Sequence, residues 1–277
     1  MDNHKYGFWE IFNKSFAFMV KNFPSIMKEL LLPIAAQIFG IILSLVPLTH
    51  LTKTLNLKGD ELVPYIIPVL LLLILGLVFY AWGFWRCLLI SCHMVLASDD
   101  YFSSKELDFN SYKVEISKRQ GNYVKMLLWY SLFVFIICII GILAIGITLS
   151  QKSSTGAMLA ILSVIVMMLA IIFYSLRASL TLPVFVLEKD VKPLDVIKRS
   201  FELTKNTLLL VFGVQFLYGL VLSAFNIALP LVTYPVKLLC LSNPALLMCY
   251  NIIITFACLI FIPFYSSISY MLYKRLY

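Results

Sequence analysis

The sequence predicts an all-α fold: a polytopic membrane bundle of six transmembrane helices in three hairpin units, with amphipathic helices on the cytoplasmic face. Three observations lead there. Of 277 residues, 61% are apolar and 13% charged, with a mean hydropathy of +0.94, whereas a soluble domain is about half apolar and roughly a quarter charged. The apolar residues fall into six charge-free runs, each near the roughly 20 residues a helix needs to cross a bilayer core of about 30 Å. Lys and Arg collect on alternate flanks of those runs. A water-soluble domain and intrinsic disorder are both excluded by this composition.

The first span is expected within residues 30–52 and the second within 62–85, joined by the polar segment 53–61. Residues 126–151 and 153–176 form the third and fourth, a helical hairpin around a turn at 151–156. The fifth lies within 206–236 and the sixth within 238–273, punctuated by Pro230, Pro235 and Asn243-Pro244. The N-terminal flank, 99–125, 188–205 and the C-terminal tail carry sixteen Lys and Arg, while the opposite loops carry four: Lys53, Lys58, Lys152 and Lys237. Positive residues stay cytoplasmic, so both termini are expected inside. The net charge of +8 is then a topology signal with anionic-lipid contact, and no nucleic-acid partner is expected. No signal-peptide run opens the chain, so insertion is expected through the first span.

An internal repeat is also legible. Arg86 and Arg177 stand 91 residues apart; each ends an aromatic-rich span and is followed by about ten more apolar residues that close on acids, Asp99-Asp100 and Glu188. The segment Phe12-Asn13-Lys14-Ser15-Phe16 echoes Ile197-Lys198-Arg199-Ser200-Phe201. Three units follow, 1–98, 99–188 and 189–277, each an interfacial helix and two spans; Ile268 replaces the arginine in the third. In the first interfacial helix Phe8, Phe12, Phe16, Met19 and Phe23 share one face, opposite Glu10, Lys14, Lys21 and Lys28. In the third, Pro193 opens a helix whose Leu194, Ile197 and Phe201 face together. The middle one, through Phe109, Tyr112 and Ile116, shows the same spacing more weakly.

The stretch Leu182-Pro183-Val184-Phe185-Val186-Leu187-Glu188, followed by Pro193, Ser200, Phe201 and Lys205, resembles the span-four exit of a bacterial family. That family comprises the membrane domain found beside some glycerophosphoryl diester phosphodiesterases and the stand-alone YciC-like inner-membrane proteins. The resemblance is sharpest over residues 170–215 and implies a bacterial inner-membrane location and a six-span fold. It implies little chemistry, because the phosphodiesterase members carry a separate catalytic barrel for which this chain has neither the length nor the ligands.

The residues themselves point away from catalysis. His4, His50 and His93 are remote from one another, and Cys87-Leu88-Leu89-Ile90-Ser91-Cys92-His93 has no metal-ligand spacing. The six cysteines lie in apolar runs and read as small hydrophobes. No Asp or Glu falls inside the six runs, which removes the usual proton relays and paired-carboxylate proteases. No serine with a His or Lys partner at bilayer depth and no phosphate loop is evident, so no enzyme, metal or cofactor is expected. What remains is the arginine pair. Arg86 falls about 35 Å and Arg177 about 30 Å along their helices, near the inner headgroups. Snorkelling to lipid phosphate accounts for both; the sharper expectation is one basic site, Arg86 and Arg177 with Glu188 as counter-charge, holding an anionic headgroup. Membrane lipids and membrane-protein partners are the expected contacts. The prolines, with Gln37, Gln215, Asn226 and Asn251, motivate the rival class, a transporter or lipid flippase. Gly141, Gly146, Gly213 and Gly219 are candidates for close helix approach.

Overall fold

The computed structural model describes residues 7–54, 59–150 and 153–277, with side chains described outside 46–54, 59–65 and 245. His4, Lys5, part of the first loop and the Gln151-Lys152 turn lie outside the described residues, as do the side chains of His50, Lys53, Pro47 and Pro64. In order the helices are α1 (Phe8–Lys21), α2 (Phe23–Thr54), α3 (Gly59–Phe102), α4 (Phe109–Ser117), α5 (Gln120–Ser150), α6 (Ser154–Arg177), α7 (Thr181–Leu187), α8 (Pro193–Thr204), α9 (Leu208–Val232), α10 (Tyr234–Cys240), α11 (Pro244–Ala257), a 3-10 turn (Cys258–Phe261) and α12 (Ile262–Leu276). No strand occurs among the described residues. Six stretches are long and apolar enough to cross a membrane: Phe23–Leu45, Ile66–Phe102, Gln120–Ser150, Ser154–Leu187, Leu208–Val232 and Leu246–Leu276. The protein is an all-α, multi-pass membrane bundle.

These helices hide little of themselves. In the apolar window of α5 only 6% of residues are buried, so Phe135, Ile140, Leu143 and Ile147 stand outward. Such a surface is tolerable only in a solvent as apolar as the side chains.

Two compact units divide the chain, and they cross the borders of the three ninety-residue segments. One comprises Met1–Phe16, Cys92–Leu217 and Ser266–Tyr277; the other Ala17–Ser91 and Tyr218–Tyr265. In the second unit α2 and α3 touch backbone to backbone. A Cβ on Gly40 would lie 2.5 Å from the Gly76 carbonyl, one on Gly76 2.6 Å from the Gly40 carbonyl, and one on Gly83 2.5 Å from the Pro33 carbonyl. Gln37 extends this seam by donating to Cys87 Sγ at 3.2 Å. The intimate glycines are therefore Gly40, Gly76 and Gly83. Of the four expected from sequence, Gly141 abuts Met167 in the α5–α6 hairpin and Gly213 the Phe8 ring, whereas Gly146 and Gly219 face open space. Of the amides whose polarity suggests burial, Gln37 is buried and Gln215 half-buried, whereas Asn226, which accepts from Cys258 at 2.8 Å, and Asn251 both lie exposed. All six cysteines are free thiols.

Helix α1 corrects the expected face. At about 100° per residue, its residues fall into three sectors: Ile11, Ser15, Phe18 and Met19 buried; Trp9, Phe16, Val20 and, continuing into α2, Phe23 apolar and exposed; Glu10, Asn13, Lys14 and Lys21 polar. Phe16 and Phe23 thus stand outside, and Ser15 takes an inward place. The buried face of α8 is likewise Val196, Ile197, Ser200 and Thr204, while Leu194 and Phe201 are half-buried.

Candidate functional site at the basic helix ends

Past Arg177 the helix is interrupted, and Pro183, whose ring would crowd the carbonyl of Ser179 in a continuous helix, sits in the first turn of the next one. Residues 178–180 turn instead, and α7 starts afresh at Thr181. The second span has no proline at the matching place, and α3 runs unbroken to Phe102. The break after Arg177 leaves carbonyls and amides that need partners in a buried setting. Helix α8 supplies them. Ser200, fully buried, donates to the Arg177 carbonyl at 2.7 Å and accepts from the Leu180 amide at 3.2 Å, and the Thr204 hydroxyl lies 3.3 Å from the same carbonyl. In return the Arg177 guanidinium donates to the Phe201 carbonyl in the last turn of α8 at 2.9 Å and sits 5.4 Å from the Phe173 ring. A cation on a helix C-terminus also meets the negative end of its dipole.

Arg119 repeats the device at the other end of α7. Its guanidinium donates to the carbonyls of Phe185 and of Val186, the latter at 3.1 Å, and lies 4.6 Å from the Phe185 ring. Burial pulls its pKa below the usual arginine value, against the pull of Glu115.

The acidic ends of the two apolar tails are both held by α12. Tyr270 donates to Asp99 at 2.9 Å, with Lys274 3.2 Å from the same oxygen. Tyr273 donates to Glu188 at 3.0 Å, with Arg199 Nε 3.6 Å away. Next to Asp99, Asp100 accepts from Tyr112 of α4 at 2.8 Å and pairs with Lys105. Burial and the Asp100 carboxylate raise the Tyr112 pKa above the usual tyrosine value. Burial opposes the Arg199 charge, but Glu188 and Glu202 outweigh it and raise its pKa.

Of the three expected headgroup residues, Glu188 and Arg177 lie in one unit but not in one ion pair: Glu188 is matched by Arg199 and Tyr273, and Arg177 by the Phe201 carbonyl. Glu188 is therefore the counter-charge of Arg199. Arg86 belongs to the other unit, half-buried, with no side-chain hydrogen bond or ion pair among the described residues. Sequence reasoning missed Arg119, Arg199, Tyr270 and Tyr273 as network members. Their signal was the pair of acidic tail ends, which need donors when half-buried. His93 is buried, and no metal-holding group of His, Cys, Asp and Glu occurs among the described residues.

Beyond this network the same unit carries a cavity of about 400 Å³ lined by Arg199, Glu202, Leu203, Asn206, Thr207, Arg275 and Leu276. No family model, curated protein or solved structure matches the chain.

Proposed function

We propose that the chain is a non-enzymatic protein of the bacterial inner membrane, with both termini cytoplasmic, that organises phospholipid or neighbouring envelope proteins at the inner leaflet. The observation that carries this reading is the three-sector division of α1. Its exposed stripe of Trp9, Phe16, Val20 and Phe23 adjoins a polar sector with Lys14 and Lys21, the pattern of a helix lying in a headgroup layer. The resemblance to the membrane domain beside glycerophosphoryl diester phosphodiesterases and to YciC-like proteins supports it further, since its most specific stretch supplies Ser200, Phe201 and the α7 break. Arg86, unpartnered among the described residues, is the arginine left to reach lipid phosphate.

The test is native mass spectrometry of the chain released from nanodiscs of mixed lipid, wild type against Arg86→Gln. The reading expects retained anionic lipid that falls several-fold in the variant. Identical lipid sets would contradict it.

One observation favours the transporter or flippase reading: the sixth span breaks into a 3-10 turn at Cys258–Phe261, beside Asn226 and ahead of Pro263. Broken helices deep in a bilayer mark many transport sites. Lipid scrambling in proteoliposomes above the empty-vesicle rate would establish that reading instead.

A further inference from the structure

The cavity at Arg199 and Arg275 is bounded by the starting end of one span and the finishing end of another. Asn206 and Thr207 precede α9 directly, and Arg275 and Leu276 close α12. In a bilayer these span ends place the cavity at headgroup depth. Its volume of about 400 Å³ falls within the roughly 300–1,000 Å³ of small-molecule sites.

The charge of its wall decides the ligand. Arg199 is paired with Glu188, 3.6 Å from its Nε, and with Glu202, 3.4 Å from its Nη1. Glu202 is 68% exposed, so its carboxylate keeps accepting positions open beside the guanidinium. The wall therefore presents the Arg199–Glu202 pair and the Arg275 guanidinium, with Asn206 and Thr207 as neutral hydrogen-bonding groups and Leu203 and Leu276 as apolar lining. A purely anionic headgroup would face Glu202 unfavourably. A headgroup with both a phosphate and a primary ammonium satisfies both signs, since guanidinium forks onto phosphate oxygens and an ammonium donates to a carboxylate.

We infer that this cavity binds the phosphoethanolamine headgroup of a membrane phospholipid, its phosphate on Arg275 and Arg199 and its ammonium on Glu202. The site names a lipid class within the lipid-organising reading above and rests on it.

The experiment is native mass spectrometry from nanodiscs holding equal parts of phosphatidylethanolamine, phosphatidylglycerol and phosphatidylcholine, comparing wild type, Arg275→Gln and Glu202→Gln. Wild type is expected to retain phosphatidylethanolamine several-fold over the others. Arg275→Gln loses that retained lipid, and Glu202→Gln shifts the preference toward phosphatidylglycerol. Circular dichroism and a melting scan of each variant verify folding. Retention unchanged in both folded variants overturns the site while leaving the lipid-organising reading standing if Arg86→Gln still sheds lipid. A wild type that retains no lipid overturns both. Binding of millimolar O-phosphoethanolamine by a wild type that shows no preference for phosphatidylethanolamine would assign the cavity to a soluble phosphoester and overturn the lipid assignment.

Discussion

Arg177 and Ser200 hold each other's helices closed: the Ser200 hydroxyl donates to the Arg177 carbonyl at 2.7 Å, and the Arg177 side chain donates to the carbonyl of Phe201, next to Ser200, at 2.9 Å. Each residue caps the other's helix at the break that precedes Pro183. The arrangement turns an interruption of the fourth span into a fixed corner.

Removing one partner from a buried hydrogen bond costs about 1–3 kcal/mol. Ser200→Ala is therefore expected to lower stability by that much, and Ser200→Val, equally unable to bond, by at least as much. Equilibrium unfolding in mild detergent measures the difference. Stability equal to wild type in both variants would show the corner is held by packing alone.

Arg119 reaches two carbonyls with one planar fork, a geometry lysine cannot reproduce. Arg119→Lys is expected to keep the charge yet raise amide hydrogen exchange across Thr181–Leu187, with the α5–α6 hairpin unaffected. Exchange followed by mass spectrometry after proteolysis resolves the two regions.

At the α2–α3 seam an added methyl meets backbone, which cannot rotate away. Gly76→Ala and Gly83→Ala should each destabilise by about 1–3 kcal/mol. The same change at Gly146 or Gly219, where nothing stands within 4 Å, should be neutral or gain up to about 1 kcal/mol from helix propensity. Thermal melts of the four variants separate the two classes.

Tyr112 carries a pH signature. Its folded pKa is raised above the unfolded value near 10, so its contribution is fully present below pH about 10 and is lost as pH rises through the folded pKa. The stability gap between wild type and Tyr112→Phe should be constant from pH 7 to 9 and shrink at higher pH. A gap that widens with alkali would reverse the assignment of Asp100 as acceptor.

Span number, the α5–α6 hairpin and the place of Pro193 at the start of α8 were legible because a bilayer imposes length and polarity on sequence directly. The faces of α1 were not. Ile11 and Phe18 turn inward while Trp9 and Phe16 turn outward, and hydropathy cannot separate them, since protein interior and lipid are both apolar. Arg177 and Ser200 each stood out in the sequence, yet their pairing spans 23 positions and depends on a break whose geometry only the fold supplies. Glu188 was recognised as a counter-charge, but its partner is Arg199 on the neighbouring helix. The seam glycines Gly76 and Gly83 stand seven apart on one face of α3, but their counterpart Gly40 sits on α2, and which glycines meet a neighbouring backbone shows only once the two helices are placed side by side.

The most direct measurement of the central claim, a six-span chain with its basic ends in the cytoplasm, is a topology scan with paired reporters active on opposite sides of the membrane. They would be placed after Tyr277, in the 188–192 segment and at Lys152. The account predicts cytoplasmic activity at the first two positions and external activity at Lys152. External activity after Tyr277, or the same side for Lys152 and the 188–192 segment, would contradict it.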